Sequence, residues 1–434
     1  MRQVKIAALV LICSILLMLF CLEFRIIGDG FTRYEMLIAL WNDHHLTADK
    51  YSLFQPLLAT PFYLLGNWLG SPEVLIHRFN LIVFVAMLIV LYVKLRKTQD
   101  RSLLLDWFLI MACCSMFPHH LRGFFPEMLT TACSVLGLVL IVCGSARSGI
   151  FLLACAGINT PAWIVPITLV SLLLAYDEKK LLYLVTPLIS LVAVMFESWL
   201  RRGHPLSSGY EGDHGFQTVL PYSGRAGFSY PLILGVLAIL FSFGKGLIFF
   251  VPGLVLAPTA SVESPILRRL QKLFLLFVIG LILVYSKWWA WYGGWYWGPR
   301  FFLMACVPAS LALACYLHDQ RASLTMNIAT LLILLFSTWI AIDGATWAQD
   351  DLIKVGAAHK YVNEYLVWYT PEFSPLWYPI IEHRALRAGE FALAGGFLLI
   401  CAWLATPTVL RVMSQLKIAL HRSRRGGDER TIGG

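Results

Sequence analysis

Read for hydrophobicity, the chain is a succession of long apolar runs parted by polar connections. The first run, Ile6 to Leu22, carries no charge and comes after Arg2 and Lys5. That is the pattern of a membrane span entered from a basic cytoplasmic flank. A cleaved leader is the competing reading, but no small-x-small cleavage site comes after it. Apolar runs over 4–22, 77–95, 103–118, 126–144, 149–160, 161–176, 181–200, 246–261, 272–288, 300–317, 323–342 and 390–410 predict about twelve spans. Several are shorter than the roughly 20 residues a crossing helix needs. Only "NTPAW" separates the fifth from the sixth, and "SFGKG" interrupts the run 231–258, whose first half is expected to be partly re-entrant or to lie at the outer surface.

An even number of spans puts both termini on one side, and charge placement says which. The short connections "KLRKTQDR", "DEKK" and "SPILRRLQK" are basic, as is the tail 411–434, so this side is expected to be cytoplasmic. Three connections on the other side are long: 23–76, 201–245 and 343–389. The last carries Trp347, Tyr361, Tyr365, Trp368, Tyr369, Phe373, Trp377 and Tyr378, side chains suited to the headgroup zone. The expectation is an all-α polytopic membrane protein forming one domain over 1–434, with interfacial helices in long outer loops. Long connections of this kind tend to carry function.

Composition agrees. Hydrophobic residues make up 59% of the chain and charged residues 14%, against roughly 25% charged in soluble domains. The net charge of +9 raises the question of nucleic acid. Its concentration in cytoplasmic connections and the tail assigns it instead to orientation and anionic lipid, so no nucleic-acid partner is expected. All ten cysteines fall in apolar runs without a CxxC pair, as small buried hydrophobes do.

Candidate chemistry begins just after the first span, at "RIIGDGFTRYEML". Thr32-x-x-Glu35 matches a capping box, which predicts a helix starting near Arg33. Phe31, Tyr34, Ile38 and Trp41 then fall on one face of an interfacial helix. Asp29 stands before it, between Gly28 and Gly30. From these residues alone, Asp29 is either good turn chemistry or a carboxylate presented in a loop that lets a ligand approach. Asp43, His44, His45, Asp49 and Lys50 come next. Adjacent residues point in different directions, so "DHH" reads as a solvated loop more readily than as a metal site.

The order of features in this region (span, acidic residue, amphipathic helix, polar turn, Pro-containing apolar segment, second span) resembles the GT-C superfamily of integral membrane glycosyltransferases. The likeness is to protein O-mannosyltransferase relatives and bacterial enzymes using polyprenyl-phosphate sugars. It implies a GT-C-like fold with a catalytic acid in the first outer loop, at the position Asp29 occupies. Many relatives carry two adjacent acids or an acid-x-acid pattern; here Gly30 comes next, and the nearest later acid is Glu35.

A second string, "KWWAWYGGWYWGPRFFLMACVPASL", crowds aromatic residues at an outer boundary before Arg300. An aromatic belt with a snorkelling arginine explains it. A cation at the head of an apolar span, in a Gly-rich turn, is also placed to hold phosphate. The string resembles a motif of bacterial GT-C members near the donor site, which implies Arg300 as a phosphate ligand, with Trp291 and Trp297 lining the substrate together with Tyr34 and Asp43. "FSFGKGLIFFVPGL" resembles a Gly-basic-Gly segment of the same members and adds Lys245, for which snorkelling is the other reading. "FPHHLRGFFPEM" adds His119, His120 and Arg122 as possible phosphate contacts, with Glu127 able to orient one of them; simple interfacial polarity is the alternative for all four.

The expected partners are therefore membrane lipid, a polyprenyl-phosphate sugar donor and a lipid, glycan or protein acceptor. Inverting transfer would use Asp29 as base and Arg300, with Lys245, on the leaving phosphate. Mannose is the sugar the relatives suggest. No cofactor is spelled out, and no metal ligand set; an acidic site of this kind is compatible with a divalent cation. A bacterial inner membrane with the site on the periplasmic face is expected. The rival reading is a lipid-linked sugar flippase or other transporter.

Overall fold

The computed structural model describes residues 2–431, with side chains described to residue 420; Met1 and the last three residues of the basic tail 411–434 lie outside it. It is all-helical among the described residues. Among the described residues, six helical segments are long and apolar enough to cross a membrane: Arg2–Cys21, Pro161–Glu178, Leu181–Arg202, Arg300–His318, Leu324–Thr346 and Ala388–Leu420. The shorter apolar helices Phe79–Leu95, Pro126–Val142, Ala146–Asn159 and Leu232–Phe241 accompany them. The chain is a multi-pass membrane protein.

Burial sorts these helices into centre and rim. In Arg300–His318, 89% of the apolar window is buried inside the protein, against 22% in Arg2–Cys21 and in Leu181–Arg202. A helix apolar all round and buried all round belongs at the centre of a bundle. Pro126–Val142 is likewise buried on nearly every side. The rim helix Val185–Arg202 turns Leu188, Val192, Phe196 and Trp199 outward, toward lipid.

The break at "NTPAW" does divide two helices, because Pro161 starts a short 3-10 turn before Ile164–Glu178. The expected span 246–261 is not a continuous helix. Leu247–Phe250 gives way to a 3-10 turn at Pro252–Val255, since Pro252 removes a backbone donor and Gly253 lowers the helical preference of the next turn. The preceding stretch forms its own helix, Leu232–Phe241, with Ile233, Leu237 and Phe241 exposed. The expected span 103–118 also ends early, at Cys113, and a four-residue helix Phe117–His120 comes after it.

The non-helical backbone between His120 and Phe125 lies buried, so its carbonyls need internal partners. Asn80 Nδ2 reaches the carbonyls of His120, Gly123 and Phe125 at 3.1, 2.6 and 3.0 Å. Gln55 Nε2 donates to the carbonyls of Phe124 and Phe125, both at 3.3 Å. The amide of Arg25 bonds the Arg122 carbonyl at 2.6 Å. These ties fix the 120–125 turn against the residues just after the first helix, and so against Asp29.

Candidate active site

The helix of the first loop runs Asp29–Trp41. It starts earlier than the Thr32/Glu35 pattern predicts, and no side chain caps it; Gly28 occupies the cap position. Gly28 has φ +52°, a left-handed conformation that glycine adopts without steric cost. Asp29 thus opens the first turn, where the helix dipole favours negative charge. Gly30 lies against the Phe124 backbone, where a Cβ would come within 3.2 Å of the carbonyl carbon. The two glycines therefore have separate jobs: one turns the chain and the other seats it. Phe31 and Trp41 stay exposed, while Tyr34 and Leu37 are buried, Tyr34 edge-on to Tyr63 with centroids 6.1 Å apart.

The two carboxylate oxygens of Asp29 are held separately. Oδ2 pairs with Arg300 Nη2 at 2.8 Å, and Oδ1 accepts the Tyr51 hydroxyl at 2.8 Å. Burial works to raise the pKa of Asp29. The Arg300 guanidinium and the Tyr51 hydroxyl outweigh it and hold the carboxyl below the usual aspartate range. Its side chain is 25% exposed, so the carboxylate remains reachable from outside.

Arg300 is far more enclosed, its side chain 10% exposed. Its second terminal nitrogen lies 3.6 Å from Glu127, whose side chain is 5% exposed. Three rings surround the guanidinium: Phe301 at 5.0 Å, Tyr296 at 5.4 Å and Phe125 at 5.6 Å. Its Nε has no hydrogen-bond partner. The turn that presents it is pinned from beneath. Lys245 is buried, and its ammonium donates to the carbonyls of Gly294, Tyr296 and Gly298. All three donors of that ammonium are thus engaged by the turn that carries Arg300.

Tyr51 belongs to residues 47–53, which the end of the rim helix grips. Arg201 donates through Nε to the Thr47 carbonyl at 2.8 Å, through Nη1 to the Tyr51 carbonyl at 2.6 Å and through Nη2 to the Asp49 carbonyl at 3.0 Å. Glu197 accepts from the Leu53 amide at 2.8 Å and the Ser52 hydroxyl at 3.0 Å, and pairs with Arg201 at 2.6 Å. Arg33 donates to the Ser52 carbonyl at 3.0 Å, with its guanidinium 5.1 Å from the Tyr51 ring. Tyr51 also lines an open cleft with Thr32, Ala48, Asp49, Lys50 and Gly209. Lys50 pairs with Asp213 at 2.7 Å, and its ammonium lies 5.0 Å from the Tyr210 ring.

The other residues singled out by the sequence take varied places. His119 is buried, with Nδ1 2.8 Å from the Gly344 carbonyl, beside the rings of Tyr296 and Trp297. His120 is buried near Tyr296, and neither ring nitrogen has a partner. Arg122 contacts the Gly344 carbonyl at 3.2 Å and the Glu23 carbonyl at 3.2 Å, which ties it to the frame. Trp297 donates to Asp343 at 2.6 Å. Trp291 is buried among Tyr292, Tyr230, Trp368 and Tyr369. Asp43 is exposed in the turn after the Asp29–Trp41 helix. Among the described residues, no group of three or more His, Cys, Asp or Glu side chains is arranged to hold a metal ion.

The structure therefore joins Asp29 to Arg300 directly. It adds three neighbours that sequence reasoning did not place there: Tyr51, Arg33 and Glu127. Tyr51 and Arg33 had no signal beyond proximity to Asp29 in the chain. Glu127 stands in the "FPHHLRGFFPEM" stretch, but its contact with Arg300 is long-range.

No protein-family model matches the sequence, and no curated protein matches it. Solved structures are similar in fold. ArnT from Cupriavidus metallidurans in the apo state superposes with a TM-score of 0.52 at 14% identity, over 94% of this chain and 78% of that one. ArnT bound to undecaprenyl phosphate gives 0.49 at 14% identity, over 94% and 77%. The chain described here therefore has an ArnT-like fold.

Proposed function

We propose that this protein is a membrane glycosyltransferase that moves a sugar from a polyprenyl-phosphate donor to a lipid, glycan or protein acceptor. The observation that carries the reading is the 2.8 Å contact between Asp29 and Arg300, on a fold shared with a glycosyltransferase. Glycosyl transfer passes through an oxocarbenium-like state. The acceptor hydroxyl loses a proton while negative charge grows on the departing phosphate. In an in-line displacement the carboxylate serves the acceptor face of the anomeric carbon and the guanidinium the phosphate on the other face. The sugar therefore has to enter between the two groups that pair in this structure.

In this reading Asp29 is the general base. Its partial exposure admits the acceptor hydroxyl, and its depressed pKa keeps it ionised. Arg300 meets the donor phosphate with the nitrogens that now face Asp29, Glu127 and no partner. Lys50, whose side chain lines the cleft, is a second cation for the phosphate. Lys245 takes a supporting part, because the carbonyls it holds shape the Arg300 turn. Direct displacement inverts the anomeric carbon. The basic connections support cytoplasmic termini, which puts this site on the opposite, periplasmic face of a bacterial inner membrane. The ArnT crystal with undecaprenyl phosphate gives the donor lipid to try first.

The test is transfer of radiolabelled sugar from polyprenyl-phosphate donors, a mannosyl donor among them, by the purified protein in proteoliposomes. Labelled product that requires Asp29 supports the reading. Movement of the lipid-linked sugar between leaflets without transfer supports a flippase instead.

A further inference from the structure

The best-defined feature outside the reacting groups is the grip of the Val185–Arg202 helix on residues 47–53. Seven hydrogen bonds link four side chains on two neighbouring elements to this short stretch. Arg201 holds three of its carbonyls, Glu197 receives the Leu53 amide and Ser52 hydroxyl, Arg33 takes the Ser52 carbonyl, and Arg202 takes the Asp49 carbonyl at 2.5 Å. The Arg201 side chain is wholly buried. The segment has no helix or strand of its own before Phe54. The side chains replace the backbone ladder it lacks, and they set the position of one phenol.

We infer that Tyr51 is a positioning residue for Asp29 and that Arg201 is the residue that places Tyr51. The relay runs from the Arg201 guanidinium through the Tyr51 carbonyl at 2.6 Å to the Tyr51 hydroxyl, and from there to Asp29 Oδ1 at 2.8 Å. The consequence is geometric. With Arg300 on Oδ2 and Tyr51 on Oδ1, the carboxylate is held at both oxygens and its rotation is restrained. Lysine in place of Arg201 cannot bridge three carbonyls with one planar fork. The groups facing Asp29 are Arg300, Arg33, Tyr51, Tyr210, Tyr296 and Glu127. Tyr51 keeps its proton, because burial and the adjacent Asp29 push its pKa far up. It therefore acts as a fixed donor, favouring the ionised carboxylate.

The inference deepens the role given to Asp29 above, but its test does not need transfer activity. Dicyclohexylcarbodiimide reacts with the protonated carboxyl, and mass spectrometry of the Asp29 peptide reads the extent site by site. Asp29→Asn identifies the signal. At pH 5, Tyr51→Phe is expected to raise the initial rate of Asp29 labelling several-fold, because losing the donated hydrogen bond favours the protonated carboxyl. Arg201→Lys is expected to raise it in the same direction. The double variant should label no faster than Tyr51→Phe alone, since both act through one phenol. An unchanged rate in Tyr51→Phe overturns the positioning role. A full additional increase in the double variant overturns the relay. Tyr51→Phe removes one oxygen atom and one hydrogen bond, so a folded protein with a thermal midpoint lowered by no more than a few degrees is expected to be available for the decisive comparison. Failure of every sugar donor in the transfer assay leaves this measurement intact and counts against the transferase reading alone.

Discussion

Replacing Asp29 by asparagine separates chemistry from structure at this site. The side chains are nearly the same size, so the Gly28 turn and the seat of Gly30 are unaffected. The Tyr51 hydroxyl, 2.8 Å from Oδ1, can still donate to the amide oxygen. The amide nitrogen then faces Arg300 Nη2, which stood 2.8 Å from Oδ2, so one charge-assisted bond becomes a contact between two donors. Such a bond contributes about 1.5–3 kcal/mol; with the Asp29 side chain a quarter exposed, water can relieve part of the loss. The expected cost is therefore about 1–2 kcal/mol, which lowers the thermal midpoint by a few degrees without preventing assembly. Glu127 still faces Arg300 and limits the damage. The catalytic loss is expected to be much larger, because a positioned general base contributes about 10²–10⁴-fold. The assay pairs a melting curve in detergent with initial transfer rates in proteoliposomes at matched donor and acceptor. An asparagine variant that transfers sugar within about threefold of the parent would falsify the assignment of Asp29 as base. A variant that has lost activity because it is unfolded is recognised by the melting curve.

The same contacts make further outcomes specific. Lys245→Met is expected to lower stability by about 2–4 kcal/mol, because buried carbonyls lose their donor; a raised donor KM with an unchanged melting temperature would show instead that Lys245 contacts phosphate. Gly28→Ala puts a side chain at φ +52° and is expected to cost about 1–2 kcal/mol, seen as a lower unfolding midpoint, with no comparable cost for alanine at the exposed, right-handed neighbour position Glu35. The wild-type acid limb of kcat/KM is expected below the ordinary aspartate range, since the carboxyl of Asp29 is held low; a limb near pH 6 would assign the base to another group. Glu364 accepts from Tyr292 and Trp295, both at 3.2 Å, yet burial pushes its pKa up to about 7. The folded protein then binds more protons than the unfolded chain between roughly pH 4.5 and 7, so stability falls as pH rises through that window, by about 1–3 kcal/mol. Glu364→Gln keeps an acceptor and should flatten that slope in melting curves between pH 5 and 8.

Apolar periodicity carried the helical, membrane-embedded architecture far, because a run without charge has few other fates in lipid. The division at Pro161 was legible for the same reason: proline acts locally. The run 246–261 misled because hydropathy records composition, whereas Gly246, Pro252 and Gly253 decide whether the backbone can stay helical. The Thr32–Glu35 spacing likewise named a cap that the left-handed Gly28 pre-empted. Asp29 and Arg300 could be singled out by their positions at the ends of apolar segments. Tyr51 could not, since its importance comes from the Arg201 grip, and nothing near residue 51 encodes a contact with residue 201. Lys245 was visible as a charge in an apolar stretch, but its three carbonyl partners belong to a turn that exists only once the bundle is packed.

The pairing of Asp29 with Arg300 also has a bearing on how the protein is made. The carboxylate enters the membrane boundary with the first helix, early in synthesis. The guanidinium that neutralises it arrives only after most of the helices have been threaded. Until then the acidic residue has to keep its water, although the 120–125 turn and the Arg201 grip already hold the first loop. Completion of the ion pair thus reports that the late helices have been inserted and docked against the early ones. A chain stalled or mis-threaded before residue 300 would leave the Asp29 carboxylate without its guanidinium partner.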